Sequence, residues 1–415
     1  MKKLQLKRGE DRRARAGHLW IFSNEADTGK TPLTDFSAGE DVIVTDSRGS
    51  VIGSACVNPH SLICARIHAR NCQPMDADLL RARISDALSL RQRLFHDPYY
   101  RLVFGEGDFL PGLVIDRYDS HLTFQITTAA MEARRDIISE IVHDLIAPAS
   151  VCFDNTVAAR SLEGLETGSR LFEGNVPDEL HVLENGITYI APAKDGQKTG
   201  YFYDQRDNHR LCAGLAEGCD VLDVFSYVGG FGVACMKNGA SSCVYVDSSA
   251  RALACCARNH EASAPGRPCE CLQSDAFDAL KDLRSHGRSF DIVSIDPPAF
   301  IKRRKDYKEG LNAYRRLNYL ALQLVRDGGF LVTSSCSQLL SGDDLRRVAA
   351  TACAKQNIHP RLIYAGRQGM DHPVHCAMPE TAYLKCLIIQ CTHQPRPEAL
   401  KYTLKDTGDM ADSLQ

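Results

Sequence analysis

The stretch VLDVFSYVGGFG, residues 221–232, decides the fold of this chain. It joins a short apolar run to three closely spaced glycines, Gly229, Gly230 and Gly232, after which a helical pattern begins. Glycines at the start of a helix let the backbone approach a ligand closely. Their spacing is not the G-x-G-x-x-G of a dinucleotide site, so phosphate binding is not required. The stretch predicts a strand, a ligand-binding turn and a helix, which together form the first unit of a doubly wound α/β domain.

Strand-like and helix-like patterns alternate from residue 193 to residue 395. Apolar runs of strand length recur at CVYVD, CECLQSD, DIVSIDPP and GFLVTSSCS, and helical patterns lie between them. This alternation predicts a Rossmann-like domain with a parallel sheet. Ligands of such sheets bind past the carboxyl ends of the strands, so we expect the functional residues immediately after each strand.

The rest of the chain predicts two smaller domains and a tail. Residues 1–72 alternate short apolar runs with Gly, Asn and Pro turns, which indicates an all-β domain. Residues 73–192 predict a small α+β domain that starts with a helix at 76–96 and has another near 129–146. It ends in a β-hairpin, for which Asn185-Gly186 is the turn signal. Residues 396–415 are polar and predict a loosely held tail.

Length and composition narrow the class of protein. A chain of 415 residues with 44% hydrophobic residues is expected to fill two or three globular cores. Its basic start is not followed by an apolar segment, so neither a signal peptide nor a membrane span is expected. Seventeen cysteines scattered through apolar segments fit reduced thiols better than disulfides, which favours a cytoplasmic location.

Two local clusters of positive charge stand out against a net charge of −3. Residues 1–20 contain seven Lys or Arg against two acidic residues, and residues 301–316 have the same balance. Either cluster alone is more often a solvated surface than a binding site. The two together favour a polyanionic partner such as RNA.

Acidic residues follow several of the predicted strands. Asp247 can accept hydrogen bonds from both hydroxyls of a ribose, and Asp275 can meet the adenine side of the same ligand. Each acid also suits a helix N-cap, but together they fit an adenosyl ligand across the strand ends. The residues expected to bind that cofactor are Phe225, Ser226, Gly229, Gly230, Asp247, Ser248, Asp275, Ala276, Asp296 and Arg206.

The fourth strand ends in Asp296-Pro297-Pro298-Ala299-Phe300. Two prolines stiffen a turn and remove backbone donors from it. Turns of this type occur in methyltransferases that act on planar bases, where the acid binds the base edge and the aromatic ring can stack. The expected substrate-binding residues are Pro297, Pro298, Phe300, Lys198 and Tyr201.

Over nearly its whole length, the chain resembles the RlmI-type 23S ribosomal RNA cytosine-C5 methyltransferases. The stretches that carry the resemblance are GHLWIFSNE (17–25), GEGDFLPGLVIDRY (105–118), GQKTGYFYDQRDNHR (196–210), FSYVGGFG (225–232), DPPAF (296–300), SCS (335–337), DHP (371–373) and YLK (383–385). Phe109 departs from the family, which usually has glycine there.

The resemblance implies a PUA-like RNA-binding domain, a central α+β domain and a class I methyltransferase domain. It implies S-adenosyl-L-methionine as cofactor, 23S rRNA as partner and a homodimer. No metal is expected, because the spacing of Cys255, Cys256, Cys269 and Cys271 matches no common zinc pattern. The expected reaction is methylation of C5 of a cytidine. Because C5 of cytosine is a poor nucleophile, a thiolate must first add to C6, and the cysteine of SCS, Cys336, is the expected nucleophile.

Catalysis is therefore assigned to Cys336 and Asp296, with the hydroxyl groups beside Cys336 expected to favour its thiolate. The base that removes the C5 proton is not identified. His372 and Lys385 fit the base pocket and a bracing role equally well. Two alternative functions stay open: a guanine-N7 or exocyclic-amine rRNA methyltransferase without covalent catalysis, and a non-catalytic RNA-binding or ribosome-assembly factor.

Overall fold

The computed structural model of the chain describes residues 1–194 and 199–393. These residues form three sheets of five, five and seven strands, and a separate two-stranded hairpin. None of the helices within these two ranges combines the length and apolar character that crossing a membrane requires.

The N-terminal domain is a five-stranded sheet with one short helix, so the β character that the sequence predicts is confirmed. Its strand order is β1-β3-β4-β5-β2, and only the β1–β3 pair is parallel. Its core is built from the alternate apolar residues of these strands, such as Leu4, Val42 and Ile67. The elements are β1 (Lys2–Gln5), α1 (Arg12–Arg15), β2 (Trp20–Ile21), β3 (Glu40–Thr45), β4 (Val51–Val57) and β5 (Ala65–Ala69).

The central domain packs three helices on a five-stranded sheet of order β10-β9-β8-β7-β6. The predicted first helix is confirmed, and the carboxylate of Asp76 caps it by accepting a hydrogen bond from the Leu79 amide. The elements are α2 (Ala77–Leu94), β6 (Tyr99–Phe104), β7 (Leu113–Tyr118), β8 (His121–Ile126), α3 (Ala129–Glu132), α4 (Arg135–Ile146), β9 (Ser150–Phe153) and β10 (Leu171–Gly174).

The helix predicted near 129–146 is two helices, because the chain leaves the helical conformation at Arg134. The Arg134 guanidinium donates to the Met75 carbonyl at 2.7 Å and to Asp41 Oδ2 at 2.9 Å. The break therefore directs an arginine onto the N-terminal domain, a long-range contact that helical periodicity does not reveal.

The predicted hairpin is confirmed as β11 (Glu179–Glu184) and β12 (Ile187–Pro192). Asn185 and Gly186 both have positive φ, 52° and 75°, as a two-residue turn of this twist requires. The sequence places the hairpin at the end of the central domain. In the structure its apolar residues share one core with the C-terminal sheet, where Val182 and Tyr189 belong to the same cluster as Val221.

The C-terminal domain is the predicted doubly wound fold. Its strand order is β15-β14-β13-β16-β17-β19-β18; the first five strands are parallel, and β19 is antiparallel to both neighbours. The elements are α5 (Arg206–Ala213), β13 (Asp220–Val224), α6 (Gly230–Lys237), β14 (Ser242–Asp247), α7 (Ala250–Ser263), β15 (Cys269–Gln273), α8 (Ala276–Ser285), β16 (Phe290–Ile295), α9 (Tyr307–Leu322), β17 (Val325–Ser335), α10 (Gly342–Ala354), β18 (Ile358–Gly366) and β19 (Lys385–His393).

The direction of winding reverses at β13, which pairs with β14 on one side and with β16 on the other. Helices α5, α6 and α7 cover one face of the sheet, and α8, α9 and α10 cover the other. Reversal opens a crevice at the carboxyl ends of the central strands, which is where ligands of such folds bind.

Residues 367–384, between β18 and β19, form a loop that touches all three domains, and we call it the bridging loop. Its Met378 lies in the N-terminal core, and its Glu380 contacts His18 at 3.3 Å. Its Asp371 accepts a hydrogen bond from the Arg101 amide of the central domain at 2.9 Å.

Two buried ion pairs of the central domain lie where that domain meets the bridging loop. Arg91 donates to both carboxylate oxygens of Asp108, at 2.5 and 2.7 Å, and also to the Asp371 carbonyl at 2.8 Å. Arg101 binds Asp116 through two hydrogen bonds of 2.8 and 2.7 Å. Pairs of this kind hold a geometry firmly because a buried charge without its partner is costly.

Candidate active site

The turn after β13 is held in an unusual backbone conformation. Phe225 and Tyr227 have φ values of 63° and 50°, and Gly229 has 93°. Positive φ is unfavourable for a bulky aromatic residue and is found mainly where a site requires it. The Tyr227 amide donates to Asp247 Oδ2 at 2.9 Å, so the turn is fastened to the end of the next strand.

The glycines of this turn are required by packing within the protein. A Cβ at Gly229 would lie 2.7 Å from a Val233 methyl group, and one at Gly230 would lie 2.6 Å from the His209 ring. A Cβ at Gly232 would collide with the Tyr245 ring. The sequence argument assigned these glycines to close approach of a ligand; the structure gives each a neighbouring side chain as a further reason.

Asp247 is a rigidly held carboxylate at the end of β14. Its Oδ2 accepts the Tyr227 amide, and its Oδ1 accepts the Ser249 amide at 2.8 Å. Each carboxylate oxygen has a second lone pair, so both can still accept a hydroxyl donor. The neighbouring Ser248 is exposed.

Asp275 caps α8, which is the role that the sequence offered as an alternative to ligand binding. Its carboxylate accepts hydrogen bonds from the amides of Phe277 at 2.9 Å and Asp278 at 3.3 Å. The residue is exposed at the end of β15, while Ala276 beside it is buried in α8. A capping role and a ligand contact are compatible, because one carboxylate oxygen makes both capping bonds.

The predicted cofactor residues lie along one edge of the sheet. Strand register places Val224 beside Val246 and Ile295, so Phe225, Asp247 and Asp296 follow three adjacent strands at the same level. The Asp296 amide also donates to the Val224 carbonyl at 3.3 Å. Half-buried Asp296 therefore stands between the cofactor turn and the two prolines.

Sequence reasoning missed Asp223, a buried acid beneath this edge. Its Oδ2 accepts the Gly232 amide at 2.9 Å, and its Oδ1 accepts the Ser294 hydroxyl at 2.6 Å. Burial raises the pKa of Asp223 to about 6, although both hydrogen bonds oppose the rise. The available signal was an acid inside an otherwise apolar strand run, which has to find buried partners.

Cys336 follows the last residue of β17 and faces the turn after β16. Its Sγ lies 3.9 Å from the Pro297 carbonyl oxygen, so the SCS and DPPAF motifs meet. The thiol is half-buried, whereas Cys353, Cys386 and Cys391 nearby in the chain are fully buried. Pro297 itself is buried and Pro298 is exposed.

The serines beside Cys336 brace the loop. Ser335 Oγ donates to the Tyr314 hydroxyl at 2.8 Å, which also bonds Ser337 Oγ at 2.9 Å. Ser337 Oγ additionally accepts the Ile301 amide at 3.1 Å. The expectation that these hydroxyls serve the thiolate is therefore replaced by a structural role around Tyr314.

Phe300 also packs against Tyr314, with ring centroids 4.8 Å apart. Its ring is a partly buried neighbour of the core beneath α9. The sequence expected this ring to stack on a base; the structure shows it packed on the protein.

Lys385 lies next to the thiol. It pairs with Ser335 across β17 and β19, and its Nζ donates to the carbonyls of Ser337 at 2.6 Å and Tyr383 at 2.7 Å. Burial lowers the pKa of Lys385 to about 8, and the charge of Cys336 acts in the opposite direction.

Comparison with known proteins agrees with this architecture. A PUA-like domain model matches residues 4–70, and an S-adenosylmethionine-dependent methyltransferase model matches residues 165–365. The ribosomal RNA large subunit methyltransferase I of Photobacterium profundum is 33% identical over 390 residues, which cover 92% of this chain and 97% of that protein. The protein of the same name from Escherichia coli O157:H7 is 32% identical over 391 residues, covering 92% and 98%.

The chain belongs to this family. Its fold is also that of SMU.776, whose crystal structure was determined in complex with SAH. The TM-score is 0.80 at 21% identity, covering 94% of this chain and all of that one. A solved structure from Streptococcus mutans gives a TM-score of 0.79, with the same identity and coverage. The chain is an S-adenosylmethionine-dependent methyltransferase.

The strand-end edge fits this cofactor. Asp247 offers two fixed acceptors of the kind that a ribose diol requires. The Ser226 hydroxyl is buried in the same turn and finds no hydrogen-bond partner among the described residues. Because a buried hydroxyl without a partner is costly, it is suited to a polar atom of a bound ligand.

Two predicted site residues lie elsewhere in the described part of the chain. Arg206 is buried against the central domain, where it donates to the Tyr99 carbonyl at 2.6 Å and stacks 4.3 Å from the Phe95 ring centroid. Tyr201 is buried among other tyrosines of the hairpin core. These two therefore hold the domains together rather than lining the strand-end edge, and Lys198 lies outside the described residues.

The sequence left two roles open for His372, lining the base pocket or bracing the structure, and its contacts are those of a bracing residue. Its Nδ1 lies 2.9 Å from Asp371 Oδ1, and its buried ring packs on Phe104 with centroids 5.1 Å apart.

One group of potential metal ligands lies among the described residues, at the contact of the first two domains: Asp41, Cys56 and His68. The group is satisfied by protein contacts. Cys56 Sγ donates to Asp41 at 3.2 Å, and the Arg134 guanidinium takes the other oxygen of that carboxylate. A guanidinium at this position opposes a cation, so the group does not indicate a metal site.

Proposed function

We propose that the protein methylates C5 of a cytidine in 23S ribosomal RNA, with Cys336 as a covalent nucleophile. The observation that carries the proposal is the half-buried Cys336 thiol, 3.9 Å from the Pro297 carbonyl, at the strand-end edge shared with the cofactor residues. The relatives' name supports large-subunit ribosomal RNA as the substrate.

A thiol at this place suits carbon methylation. The Cys336 thiolate adds to C6 of the cytosine, and the electron pair moves to C5, which becomes nucleophilic. S-adenosylmethionine supplies the electrophilic methyl group. Loss of the C5 proton to a base then returns the electron pair and breaks the C6–S bond, which restores both the aromatic ring and the thiolate. Methylation of an exposed nitrogen would not need the thiol.

The surrounding residues position the two ligands. Asp296, which is half-buried beside Pro297, binds the polar edge of the cytosine, and the two prolines hold that turn stiff. Phe225, Asp247 and Asp275 follow successive strands and hold the adenosyl part of the cofactor. The cofactor and the cytosine then meet between the ends of β13 and β17, where Cys336 lies.

Positive charge next to the turn suits an RNA backbone. Four consecutive basic residues, 302–305, are exposed between the DPPAF motif and α9. The PUA-like domain adds the basic segment at residues 1–20, although Arg13 and Arg15 are already paired with acidic side chains. Phosphate contacts by such residues would hold the RNA while its target base is turned out of the stack.

Formation of a covalent adduct tests the proposal. RNA that contains 5-fluorocytidine cannot lose a proton from C5, so the wild-type protein should form an adduct that persists in a denaturing gel. Cys336→Ala should form none and should yield no 5-methylcytidine in nucleoside analysis. Cys219→Ala, at another half-buried cysteine, is the matched control and should behave as wild type. Undiminished methylation by Cys336→Ala would refute the mechanism, and 7-methylguanosine as product would establish the nitrogen alternative.

A further inference from the structure

Lys385 is placed by the sheet beside the proposed nucleophile. It is the first residue of β19 and pairs with Ser335, the last residue of β17, and Cys336 comes next in the chain. Its amine is held by the backbone on both sides, through the carbonyls of Ser337 and Tyr383. The position is thus fixed independently of any ligand.

The two carbonyls define what the amine can do. An ammonium group has three N–H bonds, whereas a neutral amine has two N–H bonds and one lone pair. The carbonyls use two N–H bonds in either state. The amine can therefore accept a proton at its third position without losing a hydrogen bond to the protein.

Cys336 is the charged group that acts on Lys385. Three further ionisable side chains lie around the thiol: Tyr383 of the bridging loop, Tyr314 of α9, and Asp296, which precedes Pro297. Burial raises the pKa of both tyrosines, so they are neutral near pH 7. Asp204 lies behind Tyr383 and accepts its hydroxyl. Cys336 is therefore the group whose ionisation is coupled most directly to that of Lys385.

We propose that Lys385 activates Cys336 by accepting its thiol proton and holding the thiolate as an ion pair, an inference that rests on the proposed function of Cys336. The S–H bond breaks, its electron pair stays on sulfur, and the proton forms the third N–H bond of Lys385. The ion pair forms again when the C6–S bond breaks at the end of the cycle. Lys385 thus acts through Cys336 as a positioning and activating residue.

Alkylation of Cys336 tests this pairing without RNA or cofactor. Iodoacetamide reacts with the thiolate, so the pH dependence of its rate, followed by mass spectrometry of the Cys336 peptide, reports the ionisation of that thiol. The decisive variant is Lys385→Gln, whose amide keeps two N–H donors but cannot carry the charge. Lys385→Met removes the hydrogen bonds as well.

We expect both variants to react about tenfold more slowly than wild type at pH 7, with the rate recovering at higher pH. The exposed Cys72 and Cys376 are internal controls whose rates should not change, and the buried Cys386 should stay unreactive, which shows that β19 is intact. Lys355→Met, at the end of α10, is the control for removing a lysine and should alkylate as wild type.

An unchanged pH profile in Lys385→Gln would overturn the role of Lys385 and leave the proposed function standing. Normal methylation by Cys336→Ala would instead refute the proposed function, whatever the alkylation profile. The role of Lys385 and the proposed function can therefore be refuted independently of each other.

Discussion

Replacing Asp223 by asparagine changes how the stability of the C-terminal domain depends on pH. Asp223 is buried, and it joins β13 to the first turn of α6 through the Gly232 amide and to β16 through the Ser294 hydroxyl. Asparagine has the same shape and can keep both bonds, because its carbonyl accepts the amide and its NH₂ group can donate to the serine. What the variant removes is the cost of a buried negative charge.

The magnitude follows from the pKa of about 6, compared with an ordinary value of 3.8. This difference corresponds to about 3 kcal/mol in total. Because the pKa is raised on folding, the folded protein binds more protons between these values, and stability falls as the pH rises through this window. Of this loss in the free energy of unfolding, about 1.4 kcal/mol falls between pH 5 and pH 8, and the rest falls below pH 5.

Urea unfolding followed by circular dichroism at pH 5 and pH 8 measures the effect in both proteins. The free energy of unfolding of Asp223→Asn, relative to wild type, should rise by about 1.4 kcal/mol between pH 5 and pH 8. Asp282→Asn, on the exposed surface of α8, reports the effect of removing a carboxylate that water already solvates.

A difference between variant and wild type that stays constant from pH 5 to pH 8 would refute the reasoning. So would a relative stability that falls as the pH rises, because it would mean that the ionised carboxylate is favoured by its surroundings.

Two further predictions follow from contacts described above. Arg91→Met should lower the free energy of unfolding by about 3–5 kcal/mol, because it leaves Asp108 buried without its partner; urea unfolding measures it, and a loss below 1 kcal/mol would contradict the assigned burial cost. Asp247→Asn should weaken binding of S-adenosylmethionine at least tenfold, because a carboxylate is a stronger acceptor for hydroxyl donors than an amide oxygen. Calorimetry on the folded variant decides this, and unchanged affinity would remove Asp247 from the proposed cofactor site.

Local sequence patterns predicted the secondary structure well where residues close together in the sequence determine it. The capped helix after Asp76, the Asn185-Gly186 hairpin and the alternating strands and helices of the C-terminal domain are confirmed. In each of these, neighbouring residues determine both the backbone conformation and the buried face. The strand-end rule also brought Asp247, Asp296 and Cys336 to one edge of the sheet.

Long-range partners could not be predicted in this way. Nothing in the sequence pairs Arg206 with Tyr99, which lies 107 residues earlier, so its guanidinium was assigned to a ligand. The hydroxyls beside Cys336 were likewise assigned to the thiol. Their bonds to Tyr314 could not be predicted, because they depend on how α9 packs against the sheet. The domain boundaries, the roles of the site residues and the homodimer stay predictions.

The bridging loop also determines when the enzyme becomes complete during its synthesis. Proteins are made from the N-terminus and their domains fold in that order, so the first two domains can form long before residues 367–384 leave the ribosome. Only then do Met378, Glu380 and Asp371 join the N-terminal and central domains to the sheet. Lys385 follows directly, beside Cys336. A chain interrupted before this loop would lack β19, and with it Lys385, the residue proposed to activate Cys336.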